Sequence, residues 1–415
     1  MHIGKTFLFQ KVRGNWHPLV CIWWLTCLSS TSLYAQKLSE EAKISLLTYE
    51  PSSALYAAFG HSALRIQDPT TEYDMVFNYG MFSFDEGNFY LKFARGKLNY
   101  WLGTYDFSHV AQESAVRNTV IYEQQLRLTS VEKQVMFDRL TKNLRPENRY
   151  YQYDFFYDNC VTRIRDITRD ALGNQLQLDT SFVRDYSFRD LIDLYMAPQP
   201  WGDLGIDLAL GARIDQRAPA IDYLFLPEYA AVSFANSTVE RAKEIVPLTS
   251  EQVVLFEKRT DSSVSPSYWR PQWVFSGVLG LSILLTFLRR HKQPWYWSDA
   301  ILFIIYGLMG VVILLLWVAT DHTATKDNYN LLWLHPLHLA SAWLLVQKKE
   351  GIKVRFYWLI SGGYYLLFLI LWKVFPQEFH PAFIPLVVLL AFRCFYLYTN
   401  TGKYVSKISL DYFVS

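Results

Sequence analysis

Apolar residues are distributed along this chain in two different ways. Up to about residue 270 they come in short runs broken by charges, and from Trp273 onward they dominate. In the first part, "HSALRI" and "YDMVFNY" have the composition of strands, and "QDPTTE" between them supplies turn residues, so the pair reads as a hairpin. A turn centred near Pro69 and Thr70 sets His61 opposite Asn78, with Asp74 on the same strand face. Further on, "VTRIRDITRDAL" spaces Val161, Ile164, Ile167 and Ala171 as one face of a helix. Asp158 and Asn159 are good caps, which predicts that this helix begins at Cys160. Residues 175–265 read as helices and loops packed on that core, and Asp207 and Asp215, beside glycine turns, as caps.

Five later stretches approach the roughly 17–25 apolar residues that cross a bilayer as a helix. They are "WVFSGVLGLSILLTFL", "AILFIIYGLMGVVILLLWVAT", "LLWLHPLHLASAWLLV", "FYWLISGGYYLLFLILWKVF" and "AFIPLVVLLAFRCFYLY". The third is short and carries His335 and His338. Basic connectors ("RRHK", "KKEGIKVR" and the tail with Lys403 and Lys407) fall on one side. "DHTATKDNYN" and "FPQEFHP" fall on the other. Positive residues mark the cytoplasmic side, so the first half of the chain is expected outside the cytoplasm. The N-terminus fits this: Lys5, Lys11 and Arg13 precede "PLVCIWWLTCLSS" and a small residue, Ala35, the order of a signal peptide or signal anchor. The expected domains are a leader over 1–35, an exported domain over 36–265, a linker over 266–272, five membrane helices over 273–400 and a cytoplasmic tail over 401–415. The expected fold is an α+β domain, an antiparallel sheet with a nucleophile at a helix N-terminus, followed by a helical membrane bundle.

Composition then narrows the chemistry. A net charge of +2 over 415 residues argues against nucleic-acid binding. Cys21 and Cys27 lie in the leader and Cys394 in the last apolar stretch, so Cys160 is alone in the exported domain. A single thiol in an exported domain is a free reactive group, an intermolecular bridge or a small buried hydrophobe. The first turn of a helix favours the first of these, because unpaired N–H groups and the helix dipole stabilise a thiolate. The same N–H groups, with Asn159, are candidate oxyanion or substrate donors. A thiolate needs a base. The exported domain offers His61 and His109, and only His61 has orienting partners nearby, in Asn78 or alternatively Asp74. One Cys and two separated His do not form a metal site, and no cofactor is expected. In the outer loop Asp321, His322, Asn328 and Asn330 are candidate headgroup ligands, although polar residues there also simply meet water.

The order of a strand His followed by "NC" at a helix start resembles the permuted members of the NlpC-type papain-like superfamily. More closely, "FGHSALRI", "FNYGMF", "NRYYQYDFFYDNC" and "PW" with "LPEYAA" resemble Lnb, the lipoprotein N-acyltransferases of some diderm bacteria. That resemblance implies His61 as base and Cys160 as nucleophile. It also implies a phospholipid acyl donor, a diacylated lipoprotein acceptor, and a multi-pass protein of the bacterial inner membrane with its catalytic domain in the periplasm. A monomer among membrane lipids is expected. The alternatives are a membrane-anchored papain-like amidase or endopeptidase acting on peptidoglycan, and a non-enzymatic assembly protein. Five helices exceed what an anchor needs and fit substrates that lie in the bilayer.

Overall fold

The structure is a computed structural model. It describes residues 37–401 apart from 53, 83–91, 93–94, 98, 243, 258–268 and 290–295. The expected leader with Cys21 and Cys27, the first three residues of the linker, the "RHK" of the first basic connector and nearly all of the tail lie outside the described residues.

Six strands open the first domain: β1 (Lys43–Tyr49), β2 (His61–Asp68), β3 (Tyr73–Met81), β4 (Asn99–Asp106), β5 (Ile121–Gln125) and β6 (Tyr150–Gln152). Helices α1 (Phe107–Arg117), α2 (Ser130–Leu144) and α3 (Cys160–Leu172) interrupt or follow them. Beyond α3 come β7 (Leu176–Gln177), α4 (Phe188–Met196), α5 (Pro200–Ala209), α6 (Pro227–Asn236), β8 (Thr238–Arg241), β9 (Glu244–Pro247) and β10 (Val253–Phe256). A seven-stranded antiparallel sheet has the order β10-β5-β1-β2-β3-β4-β6, and β7-β8-β9 form a smaller one. Alternation along the strands sends side chains to two cores. Ile44, Leu46, Leu64, Ile66, Phe77 and Tyr79 join the larger core with α2, α3 and α4. Leu47, Tyr49, Ala63 and Val76 join a smaller one closed by Val110 of α1.

The membrane part holds α7 (Pro271–Leu288), α8 (Tyr296–Val318), α9 (His338–Val346), α10 (Ile352–Ile370) and α11 (Phe383–Asn400). Among the described residues α7, α8 and α11 are long and apolar enough to cross a membrane. The third expected span differs from the expectation. Its helix, α9, has nine residues, which at 1.5 Å per residue is about 14 Å. The rest of that stretch is a 3-10 turn at Tyr329–Leu332 and an irregular segment around Pro336. Non-helical backbone at membrane depth must be covered by protein. Trp333 and Leu334 are fully buried, and Gly310 of α8 lets the Leu334 carbonyl approach to where a Cβ would be 1.8 Å away.

One joint ties the two parts together. The last carbonyls of a helix have no partners within it. At the end of α5 these are the carbonyls of Asp207, Leu208, Ala209 and Leu210, and side-chain amides from the membrane part cap them. Asn328 Nδ2 donates to Leu208 O (2.9 Å) and Ala209 O (3.1 Å), Asn330 Nδ2 to Asp207 O (3.1 Å), and Gln377 Nε2 to Leu210 O (3.3 Å). Asn328 and Asn330 are completely buried, so they are structural caps rather than exposed headgroup ligands. Their amide groups are held by the protein itself.

Candidate active site

The segment before α3 is a closed turn. Asp154 and Asp158 exchange two backbone hydrogen bonds of 3.0 Å, and Asp154 Oδ1 accepts from the N–H groups of Phe156 and Tyr157. Asn159 then caps the helix. Its Oδ1 accepts from the N–H of Val161 (2.9 Å) and Thr162 (3.0 Å), and Thr162 Oγ1 accepts from the Asn159 N–H to complete a capping box. The Nδ2 group donates to Phe155 O (2.9 Å) and Phe225 O (2.8 Å). Both amide hydrogens are thereby engaged, which removes Asn159 from the expected oxyanion donors and makes it the cap alone. Cys160 follows as the first helical residue, 9% exposed.

His61 opens β2, next to Gly60 at φ +74°. Its Nε2–H donates to Asn78 Oδ1 at 2.8 Å, which leaves Nδ1 as the basic nitrogen. The expected register was two residues off. Leu64 pairs with Phe77 and Gln67 with Asp74, so the turn centres on Thr70 and Thr71. A shift of two keeps side chains on the same face, and Asn78 therefore still reaches the ring, from the diagonal position. Gly80 makes room for that contact: a Cβ there would lie 3.2 Å from His61 Cε1. Asp74 has another role. Its carboxylate holds Arg65 through two bonds of 2.7 and 2.8 Å and does not face His61.

Cys160 and His61 lie close enough for each to shift the other's ionisation. Burial pushes the thiol up, but His61 and the N–H groups of Ser62 and Val161 outweigh it and hold the pKa below its ordinary value. For His61, burial pushes the imidazole down. Cys160 and the bond to Asn78 outweigh it, with Glu113 adding to the same side, and the net shift is upward. Both shifts favour the charged forms, a thiolate beside an imidazolium.

The surroundings include residues that pattern reading of the sequence missed. Tyr105 interacts with Asn78 and Tyr49, and the Tyr49 ring lies 5.6 Å from the imidazole. Burial raises both phenols, so they stay protonated behind the ring. Around Cys160, Tyr100 stacks on Tyr153 at 4.3 Å, and burial together with the nearby sulfur pushes Tyr100 up to about 12. Tyr105 alternates correctly in β4 and Gly80 sits inside a strand, which often marks a close approach. Those were the available signals.

The other candidates lie elsewhere. His109 is an exposed residue of α1. His322 packs on Gly96, where a Cβ would be 3.2 Å from its ring, and Asp321 N–H donates to Arg95 O. Asp215 and Asp207 hold the buried Arg189. His335 and His338 stack at 4.1 Å within the membrane part, where Tyr365 meets His335 and the Trp333 carbonyl meets His338. Asp203, Asp207 and His380 cluster as metal ligands do. However, His380 Nδ1 accepts from the Ala382 N–H (3.0 Å), which leaves the proton on Nε2, the atom facing Asp203. A protonated nitrogen does not ligate a metal.

Fold and site together define a membrane protein whose antiparallel α+β domain sets Cys160, at a helix N-terminus, beside His61. Two family models match: the Lnb N-terminal periplasmic domain over residues 32–193 and the Lnb transmembrane domain over residues 262–404. The chain thus carries both domains of the Lnb family in order, the architecture of an Lnb-type lipoprotein N-acyltransferase, with a membrane domain and a periplasmic domain. No curated protein and no solved structure gives a significant match.

Proposed function

We propose that the protein is a thiol acyltransferase of the bacterial inner membrane that completes lipoprotein N-acylation. The observation that carries this reading is the pairing of Cys160, at a capped helix N-terminus, with a His61 whose far nitrogen is fixed by Asn78. In the first half-reaction His61 Nδ1 holds the thiol proton and the sulfur attacks the ester carbonyl of a phospholipid. The C–S bond forms, the ester C–O bond breaks, and the imidazolium returns the proton to the departing alkoxide, releasing lysophospholipid. In the second, the free α-amine of a diacylglyceryl-cysteine lipoprotein attacks the thioester. The C–N bond forms, the C–S bond breaks, and His61 takes the amine proton and returns it to the departing Cys160 sulfur. Water competes with the amine, and burial of Cys160 limits its access.

Family membership supports the lipoprotein acceptor over a peptidoglycan substrate. The test is expression of wild type and Cys160→Ala in a host whose own lipoprotein N-acyltransferase is depleted, with mass spectrometry of lipoprotein N-terminal peptides. A third acyl chain that requires Cys160 is the expected result. Cleaved muropeptides without N-acylation would replace this reading with the amidase one.

A further inference from the structure

The site has an apolar edge on the side of the first membrane helix. The turn Leu55–Ala57 lies just before Gly60 and His61 in the chain. It exposes Leu55 (52%) and Tyr56 (72%). Beside them is the end of α1, with Val116 exposed and the Arg117 guanidinium 6.0 Å from the Tyr56 ring.

The position of this edge relative to the bilayer follows from contacts. A Cβ on Gly202 would come within 3.0 Å of Leu55 Cδ1. The adjoining Trp201 donates its indole N–H to Trp269 O (2.6 Å) and packs edge-on against Phe275 of α7 at 5.8 Å. Trp269 and Trp273, both exposed, flank Pro271, where α7 starts. Tryptophans at the end of a spanning helix mark the membrane–water interface. Leu55 is therefore two contacts away from the level at which the chain enters lipid. Behind the turn, Phe59 packs on Phe155 at 4.8 Å, so aromatic side chains continue from the edge to the segment that carries Cys160.

We propose that the turn Leu55–Ala57, with Val116 and Arg117 of α1, is a lip that enters the outer leaflet of the inner membrane beside α7. Over it the acyl chain of a bilayer glycerophospholipid reaches Cys160. The occupant is the lipid surface itself, because the edge is continuous with the membrane-entry residues of α7. The proposal rests on the acyl-donor reading above, but its position in the membrane is measurable without any turnover.

The first test places an environment-sensitive NBD label at Tyr56→Cys, in the full chain with its other cysteines changed to alanine. The protein is reconstituted into phosphatidylethanolamine–phosphatidylglycerol vesicles. Quenching by spin-labelled lipid together with protection from aqueous iodide is the expected result. A label quenched by iodide and untouched by the lipid quencher would overturn the lip, whatever the reaction proves to be. The second test is Leu55→Asp with Tyr56→Asp. Alkylation of Cys160 should stay within about twofold of wild type, whereas acyl transfer from vesicle phospholipid should fall about tenfold or more. Transfer from a short-chain phospholipid dissolved in detergent should persist. An equal loss with both donors would reject delivery over the lip. Absence of transfer by the wild type from either donor would count against the acyl-donor reading, with the NBD label still deciding the lip.

Discussion

Asn159 is the residue on which the nucleophile's position depends most. Replacing it with Ala removes the cap acceptor for Val161 and Thr162, a change that costs about 0.5–2 kcal/mol. It also strips Phe155 O and Phe225 O of their donor, and each buried unsatisfied carbonyl costs roughly 1–3 kcal/mol. The sum is about 2.5–8 kcal/mol. For a domain of this size 1 kcal/mol moves the thermal midpoint by about 2–4 °C, so Asn159→Ala should lower it by roughly 5–32 °C. The more informative variant is Asn159→Asp. Aspartate caps a helix as well as asparagine does, but it sets a carboxylate oxygen against two carbonyls and a negative charge beside the Cys160 thiolate. It should therefore destabilise the fold and also push the thiol pKa up, which slows iodoacetamide alkylation at neutral pH. Intrinsic fluorescence melting in detergent and the alkylation rate measure the two effects. A midpoint within about 3 °C of wild type for both variants would refute the reasoning, because the cap would then contribute little beyond hydrogen bonds that water replaces.

Three further outcomes follow from the geometry. In wild type the thiol titrates below its ordinary value because His61 outweighs burial; in His61→Ala burial acts without it, so the midpoint of the alkylation pH profile should move up, above that of an ordinary thiol. An unchanged or lower midpoint would show that the two side chains are not coupled. Gly80→Ala sets a Cβ 3.2 Å from the imidazole at a φ of +137°. Displacement of the base by that crowding should lower acyl transfer by about 100-fold, while the protein still folds, as circular dichroism would show. Asn330→Ala leaves Asp207 O and the Trp333 indole N–H without their amide partner, which should cost about 1–3 kcal/mol in thermal stability with little change in Cys160 alkylation.

Much of the site was legible because its signals are local. "DNC" before a helical pattern determines the cap and the helix start, and alternation in "HSALRI" and "YDMVFNY" determines the hairpin faces. The register was not legible to the residue, since "QDPTTE" accommodates turns with different centres, yet a two-residue slip keeps Asn78 on the face of His61. The function of Asn328 and Asn330 was hidden for another reason. Their partners are the carbonyls of α5, some 120 residues away, and no local pattern encodes a cap supplied from another domain. The third membrane stretch misled through composition: "LLWLHPLHLASAWLLV" is apolar enough overall, but Pro336 interrupts the helix and the protein covers the break. Asp74 was a plausible orienter on its strand face until Arg65 on the neighbouring strand claimed its carboxylate.

In the proposed reaction Cys160 carries the acyl chain between donor and acceptor. The direct measurement is mass spectrometry of the peptide containing Cys160 after the purified protein has been incubated with isotopically labelled phospholipid and no acceptor. The account predicts one labelled acyl group on Cys160 that neutral hydroxylamine releases, that is absent in His61→Ala, and that moves to the α-amine when a diacylated lipopeptide is added. A labelled lipopeptide formed by an enzyme whose Cys160 is never acylated, or formed equally well by Cys160→Ala, would contradict it.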